Sequence, residues 1–149
     1  MIWTLKIECI WGAYLEDEFI RTIEIDSGST LYELHDFIQD MADFDRDHLY
    51  DFFAGRHARN RSVIFADADD WEEREAIYSE ITLEQIYPLP QAFKLYYFFD
   101  YGDSWYFEIK KSRKKPHEPE KGVHYPRIVQ SIGPKPEQYG SWDDDCDDE

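Results

Sequence analysis

The sequence predicts a single α+β domain in which one main helix and a short second helix pack on a mostly antiparallel sheet. Apolar and polar residues alternate along several stretches, as in half-buried strands, and one segment from about residue 30 to residue 42 has its apolar residues at helical spacing. Aromatic residues make up 17% of the 149 residues, which supplies ample volume for one core. We therefore expect one domain over residues 2–142 and an acidic, disordered tail over residues 143–149.

The N-terminal stretch predicts an opening β-hairpin. Every odd position from Trp3 to Trp11 is apolar, while positions 4, 6 and 8 are polar. Residues 19–25 repeat this alternation, with Arg21 as the polar exception on the inward side. Two such runs joined by a loop favour a hairpin. Cys9 stands at an inward position, so we interpret it as a core residue and not as a reactive thiol.

The main helix is predicted from about residue 30 to residue 42. Thr30, followed three positions later by Glu33, has the spacing of a capping box, which satisfies exposed N–H groups at a helix start. His35 borders the apolar face, and we interpret it as a hydrogen-bonded packing residue because no partner stands at catalytic spacing. Four apolar residues recur at helical spacing: Leu31, Leu34, Ile38 and Met41.

The middle of the chain carries weaker patterns. Residues 48–53 predict a third strand and residues 63–66 a short one, while residues 67–75 form a polar, acidic segment without a clear period. Thr82 and Gln85 have capping-box spacing and predict a short second helix. That helix should end before Pro88 and the proline that follows, since proline disfavours helical geometry in the residue before it.

The aromatic stretch from residue 93 to residue 110 predicts a later hairpin. Its strands run over about 93–99 and 105–110, and large side chains on both faces of the first strand indicate a position inside the sheet. Gly102 lies in the turn between the strands, where a positive φ is needed. Basic residues follow at 110–115, and residues 125–129 suggest a last short strand.

The charge of the chain restricts its partners. The formal net charge is −17, and the last seven residues carry six of the negative charges. Such a field repels phosphate backbones and anionic membranes and attracts basic proteins, so direct nucleic-acid binding is not expected. The N-terminus lacks the apolar run of a signal peptide, and Cys9 and Cys146 do not form a disulfide framework. We expect a cytoplasmic protein.

Three separated stretches carry motifs that occur together in one known family. They are residues 30–38, TLYELHDFI; residues 47–52, DHLYDF; and residues 99–105, FDYGDSW. Together they resemble the plasmid pRiA4b ORF-3-like family over about residues 2–142. The resemblance implies the family's MM3350-like fold and a link to plasmids and other mobile elements. It implies no activity, because most members have no known function.

Two departures from the family's pattern concern groups that a site could use. The family often has a histidine two positions after the hairpin tryptophan, where this chain has Phe107. The family also has a C-terminal element with two prolines, acidic residues and glycines. In this chain that element is reduced to residues 135–140, KPEQYG. A site built from those groups is therefore not carried over to this chain.

The hairpin turn is the candidate binding site. Asp100 and Asp103 flank a four-residue turn, and with His48 from the third strand they could hold a divalent cation through oxygen and imidazole ligands. The alternative is that the aspartates bond to backbone N–H groups and stabilise the turn itself. Trp105 beside them is interpreted as a core anchor in preference to a stacking platform.

The sequence nominates no catalytic residue and no cofactor. It contains no Cys-His-Asp arrangement with the spacing of a known catalytic motif and no glycine-rich phosphate loop. The arginines of residues 56–61 beside Ser62 are the only cluster that a serine resolvase could use, and the net charge opposes it.

Three functions stay open. The first is a non-enzymatic protein–protein interaction domain in a cytoplasmic system linked to mobile elements. The acidic charge of the chain favours a basic protein as its partner. The second is an acidic DNA mimic that inhibits a nucleic-acid-binding protein. The third is a metal-dependent enzyme that uses Asp100, Asp103 and His48.

Overall fold

The alternating stretches of the sequence form one antiparallel sheet, seen in a computed structural model that describes residues 1–45, 49–99 and 103–136. Its strand order is β4-β3-β5-β6-β1-β2-β7. The predicted α+β fold with one main helix is confirmed. The strands are β1 (Ile2–Trp11), β2 (Ile20–Asp26), β3 (Tyr50–Gly55), β4 (Val63–Ile64), β5 (Lys94–Phe99), β6 (Trp105–Lys111) and β7 (Arg127–Ile132). The helices are α1 (Leu31–Ala42), α2 (Trp71–Tyr78) and α3 (Leu83–Ile86).

The predicted N-terminal hairpin is confirmed. β1 and β2 pair from Ile2 opposite Asp26 to Glu8 opposite Ile20. Cys9 is buried in the core, as its inward position predicts. The alternation fails at Trp11, whose side chain is 61% exposed. The register of β1 against β6 shifts just before it, and such a bulge turns the following side chains out of the alternating pattern.

The main helix begins at its predicted cap. The Thr30 side chain accepts a hydrogen bond from the Glu33 N–H at 3.2 Å, and the Thr30 N–H donates to Glu33 Oε1 at 3.0 Å. The helix stops at Asp43, which takes the left-handed conformation with φ 59°. Its buried face packs on the helix side of the sheet, where it contributes to the main core. That face consists of Leu31, Leu34, His35, Ile38, Gln39, Met41 and Ala42.

Both faces of β5 are covered, as its large alternating side chains predict. Leu95, Tyr97 and Phe99 join the main core under the helices. On the opposite face, Tyr96 and Phe98 form a second cluster with Phe53, against which Ala58 of the loop after β3 packs. β5 pairs with β3 on one side and β6 on the other, so it lies inside the sheet.

The two remaining helices differ in how well the sequence predicts them. α3 has the expected capping box between Thr82 and Gln85 and ends before Pro88. α2 lies partly in the acidic segment that gave no helical prediction. It is held at the edge of β3, where Tyr78 Oη accepts a hydrogen bond from the Phe52 N–H at 3.1 Å. Within the described ranges, no helix is long and apolar enough to cross a membrane.

Candidate functional site

The predicted binding turn lies only partly within the described residues. Asp100 and His48 fall outside them, so the divalent-cation hypothesis stays a prediction. The Asp103 carbonyl accepts a hydrogen bond from the Ala13 N–H at 3.0 Å, which ties this end of the hairpin to the loop after β1. Among the residues that the structure describes, no group of three or more His, Cys, Asp or Glu side chains could hold a metal ion.

Trp105 is a core residue. Its side chain is fully buried, and its ring lies 5.0 Å from the Phe44 ring, centroid to centroid. Gly12 packs directly on the indole, where a Cβ would lie 2.1 Å from Trp105 Cε3. The indole Nε1 is buried and finds no hydrogen-bond partner in the described part of the chain. Trp105 is therefore inaccessible to stacking ligands, which agrees with its interpretation as a core anchor.

The basic loop after β3 packs on the sheet. The Arg61 guanidinium lies 4.4 Å from the centre of the Phe53 ring and 3.6 Å from Asp51 Oδ2. Ser62 Oγ donates to Asn60 Oδ1 at 2.5 Å. Arg61 therefore covers aromatic surface and neutralises a buried carboxylate, and the Ser62 hydroxyl bonds within its own loop.

His35 belongs to a buried polar group between α1 and the sheet. Its Nδ1 lies 2.5 Å from Tyr97 Oη, and Gln39 Nε2 donates to the same oxygen at 2.8 Å. The Tyr50 ring stacks on the imidazole with centroids 3.7 Å apart. The predicted hydrogen-bonded packing role is confirmed, although the sequence did not identify Tyr97 as the partner.

Asp51 is the second buried polar centre, and the sequence missed it. Arg74 forms an ion pair with its Oδ1, and Tyr78 Oη donates to the same oxygen at 2.9 Å. Arg61 approaches the other carboxylate oxygen. Because these partners come from α2 and a loop, no local spacing pattern could have revealed the cluster. It fastens α2 to the edge of β3.

The two edges of the sheet are unlike each other. At one edge, β4 has only two residues, and α2 with Tyr78 covers the backbone of β3 beyond it. At the other, β7 has six residues and pairs only with β2 among the described strands. Three apolar side chains of β7 are exposed: Ile128 by 43%, Val129 by 47% and Ile132 by 39%.

Buried charges fix β7 in place. The Arg21 guanidinium donates to the carbonyls of Ile132 and Gly133, each at 3.0 Å. Arg127 Nε donates to Glu24 Oε1 at 2.7 Å, and His117 Nε2 lies 3.3 Å from Glu24 Oε2. Burial alone would raise the pKa of Glu24, but these two hydrogen bonds outweigh it and hold that pKa below its ordinary value. β7 is therefore a well-anchored strand whose outer edge pairs with no other strand among the described residues.

A cleft of about 590 Å³ opens elsewhere, between the loop at residues 87–93 and the ends of β1, β5 and β6. Trp3 and Tyr87 meet edge to face in its wall, with ring centroids 5.7 Å apart. The Lys111 ammonium lies 4.7 Å from the centre of the Trp3 ring. No local sequence pattern indicates this cleft, because its walls come from distant segments.

Comparisons with known proteins agree with this architecture. A family model described as "Plasmid pRiA4b ORF-3-like protein" matches residues 5–142. A solved structure of a protein of unknown function, MM3350 from Methanosarcina mazei Go1, superposes with a TM-score of 0.63 at 20% sequence identity. The match covers 87% of this chain and 68% of that one, and at such identity it shows the fold alone. The comparison with curated proteins found no match.

Proposed function

The chain belongs to the plasmid pRiA4b ORF-3-like family, and on that premise we propose that it is a non-enzymatic protein-interaction domain of a cytoplasmic system linked to mobile elements. In this proposal the partner adds a strand to the outer edge of β7. The observation that carries it is an anchored six-residue edge strand with three exposed apolar side chains.

An open edge strand is a suitable surface for a protein partner. Its outward N–H and C=O groups can pair with an extended segment of another chain, while alternate side chains supply specificity. Natural proteins usually protect such edges with charged residues, proline or very short strands. From Ile128 to Ile132, β7 contains no charged residue and no proline. The opposite edge is protected, since β4 is short and α2 covers β3.

Charge favours a basic partner. The net charge of −17 gives the molecule as a whole an attractive field for positively charged proteins, which raises association rates more than it raises affinity. The same charge supports a second candidate function, that of an acidic DNA mimic. A DNA mimic binds through its surface carboxylates, which take the place of phosphates. Its binding would therefore weaken with salt and would not change when β7 is altered.

A pull-down with matched variants tests the proposal. Tagged wild-type protein, Val129→Lys and Ile64→Lys are used as bait in nuclease-treated host lysate, washed at low and at high salt. Ile64 is a suitable control because it is 57% exposed on β4, at the opposite edge. We expect one protein to be retained at both salt levels by wild type and Ile64→Lys, and to be lost with Val129→Lys.

Two results would contradict strand addition. Retention of the same protein by Val129→Lys as by wild type would show that β7 makes no contact with it. A protein that all three baits retain at low salt and lose at high salt would instead support mimicry, because counterion-dependent contacts weaken steeply with salt.

A further inference from the structure

The cleft beside the loop at residues 87–93 has the size of a small-molecule site. Its volume of about 590 Å³ lies within the range of roughly 300–1,000 Å³ that ligand pockets occupy. Most of its walls are apolar, which also agrees with such sites. The apolar walls include Trp3, Tyr87, Pro88, Leu89, Phe93 and Ile109.

The charge of the cleft is opposite to that of the protein. Acidic residues outnumber basic ones by 33 to 16 in the whole chain. Among the described residues, the cleft lining nevertheless includes Lys94, Lys110 and Lys111 and no aspartate or glutamate. Because a random patch of this surface would be acidic, the local excess of lysine gives the cleft a preference for negatively charged ligands.

Lys111 is the cation that remains available to a ligand. Lys94 and Lys110 both approach Glu108, with Nζ–Oε distances of 3.5 and 3.1 Å. Lys111 makes no such ion pair within the described residues, and its ammonium rests against the Trp3 ring. The exposed basic residues at 113–115 follow Lys111 closely in the sequence.

We propose that the cleft binds a small amphipathic anion. A flat apolar body would contact Trp3 and Tyr87, and a carboxylate, sulfonate or phosphate group would pair with Lys111. Hydrogen bonds between ionised groups are roughly twice as strong as neutral ones, and apolar walls increase their effect by excluding water. The site therefore prefers an anion to a neutral molecule of the same shape, whereas the acidic remainder of the surface repels the anion.

Titration calorimetry with a matched pair of probes tests this proposal. Naphthalene-2-sulfonate supplies a flat body with an anionic group, and 2-naphthalenemethanol supplies the same body without charge. We expect saturable sulfonate binding that is about tenfold weaker for Lys111→Gln, the size expected when a charged hydrogen bond is lost. Lys115→Gln is the control, since it removes the same charge from the same basic run without lining the cleft. It should weaken binding by less than about threefold, the effect of the general field alone.

The location is tested by nuclear magnetic resonance. The Trp3 indole N–H signal, identified by its loss in Trp3→Phe, should shift on addition of the sulfonate and should shift less in Lys111→Gln. The proposal is overturned if the sulfonate binds no more tightly than the neutral probe, if both lysine variants lose affinity equally, or if the Trp3 signal does not move during saturable binding. Circular dichroism of each variant separates loss of a contact from loss of the fold.

Discussion

Several polar side chains are buried in this protein at places where another element supplies a hydrogen-bond or ion-pair partner. Asp51 of β3 contacts Arg74 and Tyr78 of α2. His35 and Gln39, one turn apart on α1, both form hydrogen bonds with Tyr97 Oη. Arg21, on the inward side of β2, donates to backbone carbonyls at the end of β7. A buried polar group without a partner costs about 1–3 kcal/mol, so each arrangement favours one packing of its elements over others.

The contact between Gly12 and Trp105 leads to a prediction at this scale. In Gly12→Ala the new Cβ would meet the indole at 2.1 Å, far inside contact distance, so the ring or the backbone must shift. We expect a loss of about 1–3 kcal/mol in the free energy of unfolding, typical of overpacked cores. Urea denaturation followed by tryptophan fluorescence measures it.

Gly28→Ala is the matched control for that variant. A Cβ at Gly28 would lie 3.3 Å from Asp26 Oδ1, a side-chain atom that can move. Its effect should therefore be clearly smaller. Equal urea midpoints for the two variants would show that the Gly12 contact does not limit the packing of Trp105.

At the scale of elements, the sequence predicted what local pattern determines and missed what tertiary contacts determine. The Thr30–Glu33 box and its helix, and both hairpins, follow from spacing alone, and they are confirmed. α2 was missed because its apolar residues do not form a continuous face, and its stability depends on contacts of Arg74 and Tyr78 with β3. The cleft was missed for the same reason, since Trp3 and Tyr87 are distant in sequence. The cation hypothesis for Asp100, Asp103 and His48 stays a prediction.

The attachment to β2 of the segment that precedes β7 should depend on pH through His117. Its hydrogen bond with the Glu118 carbonyl, followed by that with Glu24, raises the pKa of His117 above the ordinary value of 6.5. A raised pKa means that protonated His117 stabilises the folded state fully below about pH 6.5, and that this contribution is lost as pH rises through the folded pKa. The lowered pKa of Glu24 acts oppositely, so its contribution is lost only in acid.

Urea midpoints of wild type and His117→Gln at about pH 6 and about pH 8.5 test this dependence. The advantage of wild type should be larger at the lower pH. His124→Gln serves as control, because His124 is exposed and makes no comparable contact in the described residues. A wild-type advantage that is the same at both pH values would show that the His117 contacts do not contribute to stability.

At the scale of the whole molecule, the fold separates three kinds of surface. One sheet edge is covered by α2, and the other, at β7, pairs with no further strand in the described part of the chain. The cleft carries lysines on a protein whose net charge is −17. The two proposed contacts therefore use different regions, an edge of backbone for a protein and an apolar cleft for an anion. We expect Val129→Lys to remove the first and Lys111→Gln to weaken the second, each without affecting the other.

The net charge predicts how salt affects the stability of the molecule. Negative charges on a compact protein repel one another, and the repulsion is smaller in the expanded unfolded chain. Raising KCl from about 20 mM to about 500 mM shortens the screening length to a few ångströms and should raise the melting temperature. At about pH 4.5, where many carboxylates are protonated, the rise should be smaller. A melting temperature that falls with salt at pH 7 would show that attractive ion pairs dominate.

The pairing of β1 with β6 has a consequence for how the chain acquires its fold. Leu5 lies opposite Lys111, so the ladder joins residues roughly a hundred positions apart. Sheets that depend on such distant pairings fold slowly, because a long loop must close before the contacts form. During synthesis at about 5–20 residues per second, β1 leaves the ribosome several seconds before β6. During that time the edge of β1 that later pairs with β6 remains exposed, together with the apolar face of the N-terminal hairpin.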